Sequence, residues 1–211
     1  MKDAQFWDRI AEKYAKSPVR DEAAYARTLE RTRAHLGTSD RVLELGCGTG
    51  TTALKLADAV GQMTGTDLAP GMIEIARRRA AEAEAQNVTF DVAPVETLPE
   101  GPFDVAMAFN LLHLVRDLDG ALAQVHDRLR PGGLFISKTV CLKGAGMPLW
   151  MSALLCALPV MKLVGKAPSV VHRFSVTALE DAVTRAGFEI IETGNYPAKP
   201  ISRFIVARKV G

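Results

Sequence analysis

The chain has 211 residues, 48% of them hydrophobic and 24% charged, with 26 Lys and Arg against 24 Asp and Glu. At about 150 residues per domain, this length predicts one domain with additions, and the composition excludes global disorder. A net charge of +2 lacks the basic footprint of a nucleic-acid binder.

Phe6, Trp7, Ile10, Ala11 and Tyr14 fall at helical spacing over residues 4–16. A second helix is predicted from Asp21 to Leu36, with Tyr25, Leu29 and Leu36 inward and Gly37 as its stop. From Arg41 the rhythm changes to strands alternating with helices. Strands are expected at 42–45, 63–66, 88–92, 103–109 and 134–140. Helices are expected at 51–60 and 71–85, the latter with Arg77, Arg78 and Arg79 on its wet side. A further helix carries Ala121, Leu122, Val125 and Leu129; Asp119 is its predicted cap, and Pro131-Gly132-Gly133 ends it. Thr177 and Glu180 have capping-box spacing at the head of a helix closing near Gly187, and strands 188–192 and 204–207 follow. This alternation predicts an α/β fold with a Rossmann-like, doubly wound sheet. The last two strands form an antiparallel edge hairpin, because a hairpin needs no crossover helix.

Cys47, Cys141 and Cys156 are odd in number and far apart, so neither a disulfide framework nor a metal site is expected. No Asp or Glu group has metal spacing either. The N-terminal stretch lacks the apolar core of a secretory signal, and a cytoplasmic location is expected.

The sharpest local signal is Val42-Leu43-Glu44-Leu45-Gly46-Cys47-Gly48-Thr49-Gly50, a buried strand feeding a glycine-rich turn into a helix. Such a turn needs unusual backbone angles and a close approach of backbone to ligand. The spacing is GxGxG, not the GxGxxG of dinucleotide folds. Asp67 ends the next strand, where a carboxylate accepts hydrogen bonds from a ribose diol.

Together with TGTDLAPGMIEIAR, PVETLP, FDVAMAFNLLHLV and LRPGGLFI, this segment resembles the class I S-adenosylmethionine-dependent methyltransferases, in particular their small-molecule, quinone-biosynthesis-like branch. The resemblance implies S-adenosyl-L-methionine as cofactor and assigns roles. Glu44, Gly46, Gly48 and Gly50 would cradle the methionine part, with Cys47 in the same loop. Asp67 would bind the ribose, Leu68 would lie against the adenine, Val95 and Glu96 would border its edge, and Met72 would also contact the cofactor. Asn110 and Leu111 would face the sulfonium, and Tyr14 would cover the cofactor. One departure stands out. Relatives often carry an Asp before the adenine-facing residue, whereas this chain reads Ala93-Pro94-Val95. The implied organisation is a helical cap (1–38), a cofactor-binding core (39–142), an apolar insert (143–174), and a C-terminal helix with edge strands (175–211).

Three residues are candidates for the chemistry: His113 just past the fourth strand, His172 where the chain returns from the insert, and Tyr14. For each histidine a packing role is the competing reading. Methyl transfer from a sulfonium mainly requires alignment and water exclusion. The expected acceptor is a small, uncharged or lipophilic molecule: a thiol or sulfide, a quinol or phenol, or a phospholipid amine. A non-catalytic S-adenosylmethionine binder is the alternative.

The run Gly144–Met161 contains no charge. Pro148 and Pro159 confine a regular helix to 149–158, too short to span a bilayer. Three roles are open to 144–166: a substrate lid lined by Trp150 and Met151, a membrane-surface contact giving peripheral association, or a dimer interface. Monomer and homodimer are both compatible with the sequence.

Overall fold

The computed structural model describes residues 2–143, 149–163 and 165–211. Helices α1 (Lys2–Lys16) and α2 (Glu22–Arg33) precede β1 (Arg41–Leu45), α3 (Thr51–Leu56), β2 (Gln62–Asp67), α4 (Pro70–Glu82), β3 (Val88–Val92) and β4 (Phe103–Phe109). Then follow α5 (Leu118–Arg128), β5 (Leu129–Val140), α6 (Leu149–Leu163), α7 (Val176–Arg185), β6 (Phe188–Ala198) and β7 (Ile201–Lys209).

The seven strands form one sheet in the order β3-β2-β1-β4-β5-β7-β6. The first five are parallel, and β7 and β6 add antiparallel at one edge. This is the Rossmann-like doubly wound arrangement with an edge hairpin that the alternation predicts. Successive strand residues point to opposite faces, so each strand feeds two cores. Leu43, Leu45, Phe135 and Ile205 pack with Leu122, Val125, Leu179 and Val183 of α5 and α7. Val42, Ile136 and Val206 pack on the other face with Ala53, Leu56 and Ile73 of α3 and α4. The order reverses between β1 and β4, and open α/β sheets place ligand crevices at such switch points.

Several expectations need correction. Leu29 and Leu36 pack against the core as expected, though only partly buried, while the fully buried positions of α2 are Thr28 and Thr32. Their hydroxyls donate to the Ala24 and Thr28 carbonyls at 2.8 Å, so no unsatisfied polar group is buried. Asp117, not Asp119, caps α5 by accepting from the Gly120 amide at 3.0 Å. Ser175, not Thr177, caps α7, accepting from the Ala178 amide at 3.1 Å. Pro131-Gly132-Gly133 does not precede the strand but lies inside β5, where the register against β4 shifts between Phe103 and Val105. β6 and β7 run well beyond their apolar stretches, because an antiparallel ladder pairs backbone whatever the side chains are.

The insert does form a helix, but α6 continues through Pro159 to Leu163, forgoing one i→i−4 hydrogen bond. Val160 and Leu163 are exposed, at 65% and 87%. Residues 144–148 and the side chains of Trp150 and Met151 lie outside the described residues. Among the described residues no helix is long and apolar enough to cross a membrane.

Candidate active site

β1 delivers the chain into the glycine loop, and Gly46, Gly48 and Gly50 all adopt positive φ (61°, 53° and 76°). The three serve different ends. A Cβ on Gly50 would lie 2.7 Å from Phe90 Cζ and 3.0 Å from Ala76 Cβ, so Gly50 lets α4 and β3 pack against the loop. At Gly48 the nearest atom to such a Cβ is Tyr14 Cε1 at 3.7 Å, across open space. The loop is tied from both sides. The Asp67 carboxylate, at the end of β2, accepts from the Gly48 amide at 3.0 Å and the Ala69 amide at 2.9 Å. Arg79, expected on the wet side of α4, turns back instead. It donates to the Thr49 and Thr51 hydroxyls at 2.7 and 2.9 Å and to the Ala15 carbonyl of α1 at 2.8 Å.

A cavity of about 310 Å³ opens at the carboxyl ends of the strands. Gly46, Gly48, Asp67, Leu68 and Met72 line one side; Val95, Glu96, Asn110 and Leu111 line the other. Asn110 ends β4 with φ 55°, a left-handed conformation that Asn tolerates better than most residues. Helix α1 closes the mouth with Asp3, Trp7 and Tyr14. It is held there by Ala11 packing on Met72 and Ile75, and by Asp8, which accepts from the Gly71 amide at 2.8 Å. Asp3 also accepts from the Ser169 amide and hydroxyl at 2.6 and 2.5 Å, which ties α1 to the segment after α6.

Behind the loop lies a smaller chamber of about 90 Å³, lined in part by Glu44 and Cys47. Glu44 is 2% exposed, and its Oε2 has no hydrogen-bond partner. Burial, with Asp67 adding like charge, pushes its pKa up to about 8. Between pH 4.5 and 8 the folded state therefore holds a proton that the unfolded chain releases, so stability falls as pH rises through that window. Glu44→Gln removes this dependence. At pH 8, without ligand, it is expected to melt roughly 5 °C above the wild type, with the difference vanishing below pH 4.5. Thermal melts across pH measure it.

Residues 42–133 match the protein family described as a methyltransferase domain. Over that span the chain is similar to methyltransferases. Aklanonic acid methyltransferase DauC of Streptomyces sp. (strain C5) is 40% identical over 101 residues, 46% of each chain. Malonyl-[acyl-carrier protein] O-methyltransferase of Serratia marcescens is 29% identical over 137 residues, 65% of this chain and 52% of that one. The chain thus spans about half the length of these curated relatives. The crystal structure of the YcgJ protein from Bacillus subtilis superposes with a TM-score of 0.71 at 20% identity, covering 88% of this chain and 99% of that one, which shows the shared fold.

The cavities suit S-adenosylmethionine, the cofactor that the resemblance implies. Gly48 leaves open space, Asp67 stands at the rim, and Glu44 presents an oxygen in want of a donor. Two sequence candidates stand apart from the main cavity. His113, on a short 3-10 turn, is not among its lining residues, and its Nδ1 is buried without a partner. Burial and the neighbouring His172 push its pKa down to about 4. The His172 ring bonds to the Val115 carbonyl at 2.9 Å and stacks on Phe174 at 5.4 Å. Gly50 lines neither cavity. Residues that sequence reasoning passed over line them too, among them Arg116 in the main cavity and Lys138 in the chamber. Among the described residues no three His, Cys, Asp or Glu side chains group in a way that would hold a metal ion.

Proposed function

We propose that this chain transfers a methyl group from S-adenosylmethionine to an oxygen atom of a small acceptor that reaches the site already ionised. The observation that carries the reading is the composition of the cavity wall. Its ionisable side chains are Asp3, Tyr14, Asp67, Glu96 and Arg116. Asp3 and Asp67 are occupied by Ser169 and by loop amides. The Tyr14 hydroxyl is held protonated, since burial and then Asp67 and Glu44 raise its pKa. Among the described residues no histidine lines the cavity. Removing a proton from a weakly acidic nucleophile calls for a positioned base, most often a histidine, and the described residues of this wall include none. A carboxylate or an acidic phenol needs no such base, and the Arg116 guanidinium places positive charge at the mouth. The names of the two curated relatives support an oxygen acceptor: one acts on aklanonic acid, and the other is an O-methyltransferase.

In this reading Gly46 and Gly48 give the cofactor backbone approach, Asp67 takes the ribose hydroxyls, and Leu68, Met72, Val95 and Glu96 flank the adenine. Asn110 and Leu111 stand by the sulfur, with Glu44 and Cys47 behind the loop. The cofactor supplies a methyl carbon activated by its sulfonium. The protein aligns the acceptor oxygen, and Tyr14 and Trp7 on α1 shut out water. His113 and His172 serve packing. His113→Gln is therefore expected to change turnover less than about twofold, whereas a catalytic base would lose 10²-fold or more.

The exposed Val160 and Leu163 favour a membrane surface or a second copy, rather than the cavity, as the cover of α6. Sedimentation with and without liposomes distinguishes these. The acceptor test is a panel of aromatic carboxylic acids, phenols, thiols and phospholipid amines incubated with the protein and methyl-labelled cofactor. Label in esters or aryl ethers is expected. Label in thioethers or amines alone contradicts the oxygen reading.

A further inference from the structure

We propose that Lys138 receives the carboxylate of the cofactor's amino-acid tail in the chamber behind the glycine loop, and so selects nucleosides that carry that tail. The inference rests on the cofactor reading above and deepens it by assigning a residue and a selectivity to the chamber.

The chamber and the main cavity share Tyr14, Gly46, Gly48, Phe109 and Asn110, so they meet at the glycine loop. A ligand whose ribose lies by Asp67 extends its other end into the chamber. Its wall includes Tyr25, Thr28, Thr52, Glu44 and Lys138, with the Tyr25 and Thr52 hydroxyls bonded to each other at 3.1 Å.

Lys138 is held rigidly. It lies on β5, paired with Phe109 of β4 and Phe204 of β7. Its carbonyl accepts from the Asn110 amide at 2.7 Å, which fixes it beside the loop. It is 8% exposed, with Nζ 6.0 Å from the centre of the Tyr25 ring. Among the described residues no carboxylate forms an ion pair with it. A buried ammonium is expensive to keep; burial lowers its pKa, and the charge of Asp21, which forms no ion pair with it, opposes that fall.

Glu44 has the complementary need, a buried carboxyl oxygen with no donor. One wall thus wants an anion and another wants a donor. A zwitterionic α-amino acid end meets both, its carboxylate at Lys138 and its ammonium at Glu44. A nucleoside ending in a plain thioether meets neither.

The test is calorimetric and needs no turnover. Three probes are S-adenosylhomocysteine, its decarboxylated analogue, and 5′-methylthioadenosine, which lacks the tail. The wild type is expected to bind S-adenosylhomocysteine at least about tenfold more tightly than the decarboxylated analogue. Lys138→Met is expected to weaken S-adenosylhomocysteine by about ten- to a hundredfold, and the other two by less than about twofold. Lys138→Arg should keep most of the preference. Equal wild-type affinity for the first two probes overturns the proposal without recourse to any variant. So does a Met variant that keeps its preference, or one that weakens all three probes alike. A wild type that binds none of the three overturns the cofactor reading itself, and the proposal with it.

Discussion

Replacing Gly48 with valine is expected to abolish S-adenosylhomocysteine binding, by more than about a hundredfold, while leaving a folded protein. Two effects combine. The backbone there has φ 53°, a conformation that costs an L-residue roughly 1–2 kcal/mol and a β-branched one more. The added side chain also projects into the space that both cavities share at the loop. Gly50→Val is the matched contrast. Its Cβ would strike the Phe90 ring rather than any ligand, so its main loss is expected in melting temperature. Calorimetry and thermal melts on both variants separate ligand approach from packing. Equal binding by Gly48→Val and wild type would remove the loop from the site.

Asp67→Ala is expected to weaken S-adenosylhomocysteine by about ten- to a hundredfold and to lower the melting temperature as well. The carboxylate orders the Gly48 and Ala69 amides in the ligand-free protein. Its removal leaves two donors without their acceptor before any ribose contact is lost. Burial raises the Asp67 pKa, and the Ala69 and Gly48 amides oppose that rise. Asp67→Asn keeps the size and one acceptor oxygen, so it should recover part of the thermal stability and less of the affinity. A variant with unchanged affinity would show that the carboxylate serves the loop alone.

The loop and Asp67 were legible because their signal is local. Glycines at fixed spacing after a buried strand, with an acid one strand on, state the backbone geometry within a few residues. The five parallel strands were legible from periodicity for the same reason. Lys138 and Arg79 were not, because nothing near them in sequence marks their role. Lys138 is one polar residue on β5, and its meaning comes from the residues of α2 and β1 that share the chamber with it. Arg79 follows two arginines that do face solvent, and only the closeness of Thr49, Thr51 and Ala15 turns it inward. The caps slipped by two residues because Asp117 and Asp119, or Ser175 and Thr177, are chemically equivalent on paper. Backbone geometry alone chooses between them. The position of His113 relative to the cavity was not legible either. Its place after β4 is right for a base, but the 3-10 turn of Leu112–Leu114 carries Leu114 to the cavity and His113 away from it.

The central claim is that the cavity around Gly48, Asp67 and Asn110 takes S-adenosylmethionine. Isothermal titration of the wild-type chain with S-adenosylhomocysteine, and separately with NADH, tests it most directly. The predicted result is one site of roughly micromolar affinity, about −8 kcal/mol, for S-adenosylhomocysteine and no heat with NADH; binding of NADH with none of S-adenosylhomocysteine would contradict the account.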